Sequence, residues 1–544
     1  MIHHHGELLG SHKNFVCVVG SGPVGITAAL ELEKLGLFVV LLESGSTGLD
    51  HSIQELSDAV RIAPRRHKEM NYAVRRSFGG TSNLWGAGCI PLDPIDFERR
   101  EIVTASPWPI AYGDLEAHLP AAAEYAGCGV GFVRDLSGIH TPAGWFNLNR
   151  VIRFASPPSF QTAYRKHLQS TRKIQLYLHS TVIDFKFREN GSVEKLMVRT
   201  ADGESISLCP YAIVLACGGV ETTRLLLSVQ AKHPNCFGGP GGPLGRFYMG
   251  HLSGTISDIT FSSAQVDRAF RFIRDADRHY YRRRILPDYK QIRENNLTNI
   301  GFWPVPPRLA DPSHKSAVLS SAYLALSAPV IGSRLLTDSL RNFVTDDDTQ
   351  MAQHLLNIAT DLPALLAFLP GFVYARFLSK PSVPGIQFSN RVRKYALHYH
   401  AEHLPNSTSR ITLDENCDRF GLRKVKLDLR FSEADALPIV KSHKLLGSWL
   451  SQNQIGDLQF SLPESDLTSG VLDQACDGVH QIGTIRMATN DKDGVVDSYG
   501  KVFHSHNLFV SGSAIFPTSG QANPTLTAMA LAVRQARYIA RAFR

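Results

Sequence analysis

A glycine-rich turn between two apolar runs is the first feature of this chain that could bind a ligand. Residues 15–19 are apolar, the turn Gly20-Ser21-Gly22-Pro23-Val24-Gly25 follows, and residues 26–35 have helical composition and spacing. A second apolar run, residues 38–42, ends at Glu43. A strand, a glycine turn, a helix and a strand that ends at an acid are typical of dinucleotide binding. A glycine-rich turn in some other parallel sheet is the alternative interpretation.

Each residue type in this turn has its own physical reason. Gly20 allows the tight turn, Gly22 lets the backbone approach a pyrophosphate, and Gly25 lets the helix pack against the strand. The helix N-terminus then faces the phosphates. Glu43 can accept hydrogen bonds from the ribose hydroxyls and disfavours the 2′-phosphate of NADP. The predicted cofactor contacts of this unit are Gly20, Ser21, Gly22, Pro23, Gly25 and Glu43.

Three further segments are predicted to surround the same nucleotide. Residues 78–88 are too rich in glycine for a helix and are predicted to line a ligand. Residues 181–198 alternate around Asn190-Gly191, which indicates a hairpin. Residues 211–216 are predicted to form a buried strand that leads through Cys217-Gly218-Gly219 into a helix, residues 221–228. The predicted contacts in these segments are Gly79, Gly80, Thr81, Asn83, Trp85, Val182, Ala216, Cys217 and Gly218.

The last 70 or so residues carry polar side chains in an irregular setting. The segment Asp477-Gly478-Val479-His480 opens this part, and a strand, residues 507–511, precedes a long loop. Pro517, Gly520 and Pro524 stop regular structure before a helix, residues 526–543. A loop that ends at a helix N-terminus suits the oxygen-rich edge of a cofactor. The predicted contacts on this loop are Gly512, Ser513, Asn523, Pro524 and Thr525.

Composition limits the class of protein. The chain has 544 residues, 43% of them hydrophobic, and a formal net charge of +8. These values are typical of a globular protein and exclude disordered and collagen-like classes. The mild positive charge does not indicate a nucleic-acid binder. The eight cysteines lack the paired spacing of a zinc site, so no metal site and a reducing compartment are predicted.

The N-terminus has three histidines, His3, His4 and His5, but no apolar signal segment, so a cytoplasmic protein is predicted. The histidines are interpreted as part of a disordered start rather than as metal ligands.

The middle of the chain, residues 254–391, differs in composition and leaves alternatives open. Its arginine run is interpreted as a solvated face, or as a contact for an anionic substrate or anionic lipid. Residues 355–378 are largely apolar but contain Asp361, Pro363, Pro370 and Arg376, which disfavours a spanning helix. Core or lid helices are one interpretation, and a peripheral contact with a membrane surface is the other. The run comprises Arg268, Arg271, Arg274, Arg278, Arg282, Arg283 and Arg284.

A second sheet is predicted after this region. Residues 395–400, 410–413 and 425–431 are predicted to be its strands, and residues 432–450 a helix with Ser432 as its cap. His400 and Glu402 would share one strand face, directed either to a substrate or to solvent.

The chain resembles the glucose–methanol–choline (GMC) oxidoreductase family of flavoproteins. The resemblance implies a Rossmann-like FAD-binding domain of α/β type and a second, mixed-sheet α+β domain for the substrate. The implied domains are residues 13–253, residues 254–470 with a variable insertion at about 255–393, and residues 471–544, which return to the first domain. The matching pieces, in family order, are residues 20–25 with Glu43, 79–85, 215–224, 244–251, 402–413, 480–487 and 512–525.

The resemblance also implies a cofactor and a catalytic pair. FAD, rather than free NAD, is implied, with hydride passing from the carbinol carbon to flavin N5. By analogy His480 takes the hydroxyl proton and Asn523 hydrogen-bonds the same oxygen. Some members attach FAD through a histidine near Thr81, but residues 82–84 here are Ser, Asn and Leu, so noncovalent FAD is expected. Many members have an acid where this chain has Gly512.

The substrate class is inferred from the segment that ends in Asn83-Leu84-Trp85, which is similar to the pyranose-, sugar- and polyol-oxidising branch. An alcohol oxidoreductase acting on a sugar, aminosugar or glycoside is therefore predicted. A non-redox lyase of the same fold is one alternative. A membrane-docked dehydrogenase subunit that passes electrons to a quinone or protein is another. Oxygen, a quinone and a protein all stay open as electron acceptors.

Overall fold

Six parallel strands form the sheet that underlies the glycine-rich turn. The structure is a computed structural model that describes residues 1–3, 14–105, 107–136, 144–307, 309–328, 350–379, 381, 383–385 and 392–543. His4 and His5 lie outside these residues. The strands, in the order in which they lie side by side, are Ile2–His3, Ile174–Tyr177, Val39–Leu42, Val16–Val19, Ala212–Leu215 and Leu508–Val510.

The central strands are hydrophobic on both faces because helices cover the sheet. Every residue of Val16–Val19 and Val39–Leu42 is buried. The helix Pro23–Lys34 follows the first of these strands and packs against the C-terminal helix Thr525–Ala542. The first helix begins at Pro23, three residues before its predicted start, because proline is favoured in the first helical turn, where no amide hydrogen is needed.

The predicted hairpin is present and continues into a third strand. Ser180–Phe187 pairs antiparallel with Val193–Thr200, which in turn pairs with Ser205–Leu208. The strand Ala212–Leu215 then returns to the main sheet and leads into the helix Gly219–Lys232.

A second core lies under a four-stranded antiparallel sheet. The long helix Glu433–Gln452 covers this sheet and begins at Ser432, whose amide and hydroxyl both donate to Asp435 at 2.8 Å. Trp449 of that helix is almost completely buried and contacts Phe146. The strands, in spatial order, are Ile300–Val305, Lys394–Glu402, His251–Phe261 and Gly456–Phe460.

The prediction that residues 395–400, 410–413 and 425–431 share one sheet is wrong. Only Lys394–Glu402 joins the four-stranded sheet. Arg410–Cys417 and Arg423–Asp428 form a separate sheet with Ala59–Arg61, which pairs in parallel with the latter strand. The Ile411 amide also donates to the carbonyl of Gly245 at 2.7 Å, so this segment is held against the part of the chain that precedes the second sheet.

A further four-stranded sheet borders the space between the two cores. It carries the end of the arginine run on the strand Tyr280–Arg283. Its strands, in spatial order, are Ile273–Arg274, Tyr280–Arg283, Val151–Phe154 and Gly88–Cys89. The remaining α-helices of the described residues are His51–Gln54, Met70–Ala73, Tyr112–Glu116, Leu119–Ala126, Phe160–Ser170, Ala264–Ala269, Tyr289–Glu294, Ala317–Ser327, Met351–Thr360, Leu362–Val373 and Leu467–Gln474.

The apolar region near residue 360 forms two helices rather than one. Met351–Thr360 and Leu362–Val373 meet at an angle of 83°. No single helix among the described residues has the length and hydropathy needed to cross a membrane, although this bent pair meets that criterion when its two helices are taken together. The domain boundaries predicted above stay a prediction.

Candidate active site

A cavity of about 730 Å³ begins at the carboxyl ends of the central parallel strands and extends to the second sheet. Ligands bind at this edge of open α/β sheets. Its wall includes Glu43 at one place and both His480 and Asn523 at another, so the structure brings together residues that are far apart in the sequence. The predicted site residues on the wall are Gly20, Ser21, Gly22, Pro23, Glu43, Gly80, Thr81, Trp85, Val182, Ala216, Cys217, Gly218, His480, Gly512, Ser513, Asn523, Pro524 and Thr525.

Three predicted cofactor contacts lie outside the lining of the cavity. Gly25 is inside the first helix, where an added Cβ would lie 1.9 Å from the carbonyl oxygen of Gly20. Asn83 donates to the carbonyl of Phe78 at 2.9 Å and accepts from Ser159 at 2.7 Å, so its side chain holds the surrounding loop. Gly79 adopts the left-handed conformation at the start of that loop. These three residues position the cavity wall, and their direct contact with a cofactor stays a prediction.

The glycine turn leaves the backbone open to a ligand. Gly20 has φ +103°, and an added Cβ there would lie 2.5 Å from the carbonyl oxygen of Ala216. The second glycine loop packs directly on the first, since a Cβ on Gly80 would lie 2.8 Å from the Cα of Gly22. Side chains are therefore excluded from the place where the two loops meet, and bare backbone amides face the cavity beside the helix N-terminus.

Glu43 is held rigidly at the end of its strand. Its Oε2 accepts from the amide of Ser21 at 3.1 Å and from the hydroxyl of Ser21 at 2.6 Å, and its Oε1 accepts from the amide of Gly45 at 2.9 Å. A carboxylate has about four lone-pair sites, so the oxygens retain capacity for a ligand's hydroxyl groups. The glycine cradle and this acceptor fit an adenine dinucleotide with free ribose hydroxyls.

His480 is fixed by the carboxylate of Asp477. Asp477 Oδ1 accepts from the amides of Val479 and His480 at 3.0 and 3.1 Å, and Oδ2 lies 3.1 Å from His480 Nδ1. On the other side of the ring, Asn523 Nδ2 lies 3.4 Å from His480 Nε2. An amide nitrogen can only donate, so this arrangement makes Nε2 the acceptor and places the ring proton on Nδ1, toward Asp477.

Two more histidines stack behind this group. His251 Nδ1 lies 3.1 Å from His480 Nδ1, and the His251 ring stacks on His400 with centroids 4.1 Å apart. Burial lowers the pKa of His251 to about 4 and the pKa of His400 well below its usual value. Both rings are therefore neutral at physiological pH. Burial alone would raise the pKa of Asp477, but its electrostatic interaction with His480 and its hydrogen bonds to His480 and His251 hold it well below the usual value.

The three histidines have ligand nitrogens within 4.8 Å of one another, a spacing that could hold a metal ion. The hydrogen bonds already use several of these atoms: His400 Nδ1 bonds the carbonyl of Gln521 at 2.8 Å, and His480 Nδ1 faces Asp477. His251 Nε2 is buried and has no hydrogen-bond partner among the described residues, and the absence of a metal site stays a prediction.

Sequence reasoning assigned no role to several residues of this site. Asp477 stood in the quoted motif, and its spacing of three residues before His480 was the available signal. Trp303 and His398 line the cavity, and no motif marked them. Arg284 lines it too and belongs to the arginine run, for which contact with an anionic substrate was one of the interpretations. Of the two residues proposed to share a strand face, His400 lines the cavity. Glu402 does not: it binds Arg100 in a buried bidentate pair at 2.6 and 2.7 Å.

Residues 405–532, which include both His480 and Asn523, match the family described as GMC oxidoreductase. A 2-methyl-1,2-propanediol dehydrogenase of Mycolicibacterium austroafricanum is 22% identical over 373 residues, which cover 68% of this chain and 54% of that protein. A 6'''-hydroxyparomomycin C oxidase of Streptomyces lividus is 23% identical over 556 residues, covering 96% of this chain and 91% of the relative.

Among solved structures, pyridoxine 4-oxidase from Mesorbium loti is similar over 97% of this chain and 99% of its own, with a TM-score of 0.51 and 16% sequence identity. This likeness confirms the predicted fold class, a Rossmann-like domain joined to a second domain with its own sheets.

Proposed function

This chain belongs to the GMC oxidoreductase family, and we propose that it is an FAD-dependent oxidoreductase acting on the CH–OH group of a small alcohol or carbohydrate. One observation carries the proposal. An imidazole acceptor, His480 Nε2, faces an amide donor, Asn523 Nδ2, across 3.4 Å on the wall of a cavity that a dinucleotide cradle opens into. Such a pair suits one hydroxyl group, because the imidazole takes its proton and the amide bonds its oxygen.

The residues that would hold FAD lie along the cavity wall. The turn from Gly20 to Pro23 and the adjoining Gly80 would take the pyrophosphate, and Glu43 would take the adenosine ribose. Bound FAD supplies the acceptor for the hydride that leaves the carbinol carbon. Because residues 82–84 lack a histidine, we propose noncovalent binding.

The proton moves through this chain's own side chains. His480 Nε2 accepts the hydroxyl proton, and the Asp477 carboxylate behind Nδ1 stabilises the imidazolium that forms. Asn523 donates to the substrate oxygen, and its own Oδ1 accepts from Arg284 at 3.1 Å, which fixes the direction of the amide. The buried rings of His251 and His400 exclude water from the far side of His480.

The substrate class follows from the relatives named above and from the loop that ends at Trp85. Those relatives are described as acting on a diol and on an aminoglycoside, so a polyol, a sugar or a glycoside is the proposed substrate of this chain. Oxygen, a quinone and a protein are the acceptors to be tested.

The first experiment follows the visible spectrum of the anaerobic protein with bound FAD while sugars, aminosugars and simple alcohols are added. We expect one class to bleach the flavin, and His480→Ala to slow the bleaching by about 10²–10⁴-fold while FAD stays bound, since this is the usual worth of a positioned acid–base group. His504→Ala is the matched control, because His504 is exposed and pairs only with Asp491 among the described residues.

Readmitting air after bleaching separates an oxidase from a dehydrogenase. Unchanged rates in His480→Ala would refute its role as the base. A flavin that no alcohol bleaches would favour the non-redox lyase.

We also propose a peripheral contact with a membrane surface, made by the helix pair Met351–Thr360 and Leu362–Val373. No residue of the second helix is buried, and Leu366 is 59% exposed. Contiguous apolar surface of this kind marks interaction sites rather than ordinary protein surface.

Flotation with vesicles of neutral and of anionic lipid tests this contact. We expect binding that Leu366→Glu weakens at least about fivefold, because a charge on the apolar face must be desolvated. Leu437→Glu is the control, since Leu437 is 55% exposed on a different helix. Equal binding of both variants, or none by the unmodified protein, would exclude the contact.

A further inference from the structure

Two arginines at the end of one strand enter the substrate end of the cavity. Arg282, Arg283 and Arg284 all contribute to the cavity lining. Arg282 and Arg284 alternate on the segment that follows Tyr280, so their side chains point to the same side, and Arg284 is joined to His480 through Asn523. The neighbouring Arg283 points the other way and donates to the carbonyls of Leu148 and Asp135. The interpretation of the whole arginine run as a solvated face is therefore wrong for its last members, since Arg283 and Arg284 are 4% and 3% exposed.

Arg284 is held by neutral groups only. Its Nη1 donates to Gln521 Oε1 at 2.7 Å, its Nη2 donates to Asn523 Oδ1 at 3.1 Å, and its guanidinium carbon lies 4.4 Å from the centroid of the Trp303 ring. Its Nε is buried and has no hydrogen-bond partner among the described residues. Burial lowers the pKa of Arg284 to about 9, which leaves it cationic at neutral pH.

Arg282 is held in the same way. Its Nε donates to the carbonyl of Phe270 at 3.2 Å, its Nη2 to the carbonyl of Pro304, and its guanidinium lies 5.2 Å from the centroid of the Phe272 ring. In the part of the chain that the structure describes, the hydrogen-bond acceptors of both arginines are carbonyl and amide oxygens rather than carboxylates.

The acid whose charge acts on Arg284 is Asp93, and it is already engaged elsewhere. Asp93 raises the pKa of Arg284, but a whole side chain separates them: Gln521 accepts from Arg284 and donates to Asp93 Oδ2 at 2.9 Å. Asp93 is itself ion-paired with Arg150. His398, which also lines the cavity, adds no further positive charge, because burial and the two arginines lower its pKa to about 4 and keep it neutral.

We propose that the substrate carries an anionic oxygen group, a carboxylate in the first instance, which binds between Arg282 and Arg284 while its hydroxyl group lies at His480 and Asn523. Buried cations without a counter-charge are costly, and an entering anion offsets that cost, whereas an ammonium group adds to it. Guanidinium groups also match the planar, two-oxygen geometry of a carboxylate.

The inference rests on the proposed function and narrows it. Uronate-like sugars and other hydroxy acids become the favoured substrates, neutral sugars come second, and cationic aminosugars come last. The structure thus separates this chain from a relative described as an oxidase of an aminoglycoside.

Three methyl glucosides that differ only at carbon 6 test the order: the carboxylate, the hydroxymethyl and the aminomethyl compound. Anaerobic flavin reduction should show the lowest half-saturating concentration for the carboxylate, at least about tenfold below the hydroxymethyl compound, with the ammonium compound weakest. The preference for the carboxylate is measured as the half-saturating concentration of the aminomethyl compound divided by that of the carboxylate. Arg282→Gln should reduce this ratio at least about tenfold. Arg274→Gln, which removes a charge from the same sheet outside the cavity lining, should leave the ratio unchanged.

If all three compounds reduce the flavin with equal half-saturating concentrations, the charge inference is overturned and the proposed function is left standing. No reduction by any of them would count against the proposed function for this sugar series, so a binding measurement then decides the inference. Benzoate and benzylamine are titrated into the oxidised holoenzyme at fixed ionic strength, with the flavin absorbance as readout.

Tighter binding of benzoate, weakened at least about tenfold in Arg282→Gln, supports the inference. Equal or tighter binding of benzylamine overturns it. A shift of the flavin reduction potential in Arg282→Gln without any change in benzoate binding also overturns it, because the charge then serves the cofactor rather than the substrate.

Discussion

At the scale of single residues, the proton position on His480 depends on Asp477. The carboxylate accepts from Nδ1, so Nε2 is left free to take a proton from the substrate. Asp477 acts through another side chain and is a positioning residue. An asparagine in its place presents an amide group to Nδ1 and favours the opposite tautomer, which carries its proton on Nε2.

We expect Asp477→Asn to lower the rate of flavin reduction by about 10²–10⁴-fold, because the base is then mostly in the wrong tautomer and its imidazolium loses a counter-charge. The pH dependence of the rate should also shift, which a purely structural role would not cause. Asp473→Asn is the control, since Asp473 is exposed on the preceding helix. If Asp477→Asn keeps its full FAD content and the rate of flavin reduction keeps its magnitude and its pH dependence, the carboxylate only caps its turn.

Residue types alone could indicate His480 and Asn523 but not their contact. They lie 43 positions apart, on different loops, and only the packing of the loop that ends at Pro524 brings the amide to the imidazole. Arg284 was visible in the sequence as part of a charged run, yet nothing in that run separates a buried arginine from a solvated one.

At the scale of elements, the sequence pattern predicted strands and helices best where the spacing of apolar residues follows one regular period. The first strand, turn and helix are found within three residues of their predicted bounds, because buried parallel strands and a proline-started helix have strong local signals. The strand Tyr280–Arg283 was missed because its charged side chains, buried at Arg283 and half-buried at Arg282, donate to carbonyls in place of the apolar contacts that mark a strand. The grouping of strands into sheets failed because pairing partners such as Ala59–Arg61 are remote in sequence.

At the scale of the whole molecule, a buried polar network joins distant parts of the chain. Asp96 accepts from the amide of Asp93 at 2.8 Å and from Asn299 Nδ2 at 2.9 Å, and it lies near the Arg100–Glu402 pair. Burial, with the charges of Glu402 and Asp93, raises the pKa of Asp96 to about 8. The folded protein therefore holds a proton there that the unfolded chain releases near pH 4.

A group whose pKa is raised on folding stabilises the folded protein most at pH values below its pKa in the unfolded chain. This stabilisation is lost as the pH rises through its pKa in the folded protein. We expect the free energy of unfolding to fall between about pH 5 and 8 by up to about 1.4 kcal/mol per pH unit from this group. Denaturant titrations at several pH values give the slope of the unfolding free energy against pH. Asp96→Asn, which cannot ionise at this position, should lose the part of that slope that comes from Asp96. The control Asp202→Asn, in an exposed turn, should keep the slope of the unmodified protein. Parallel slopes for all three proteins would show that Asp96 is ionised in the fold.

The position of Leu508–Val510 at the edge of the parallel sheet has a consequence for synthesis. This strand pairs with Ala212–Leu215, and the helix after it covers Pro23–Lys34, where Arg537 donates to the buried Glu31 at 2.7 Å. A chain is made from its N-terminus, so the helix Pro23–Lys34 is synthesised long before the helix Thr525–Ala542 that packs on it. The apolar face of the first helix therefore waits for a segment made hundreds of residues later, and so does the part of the cavity wall that residues 512–525 form.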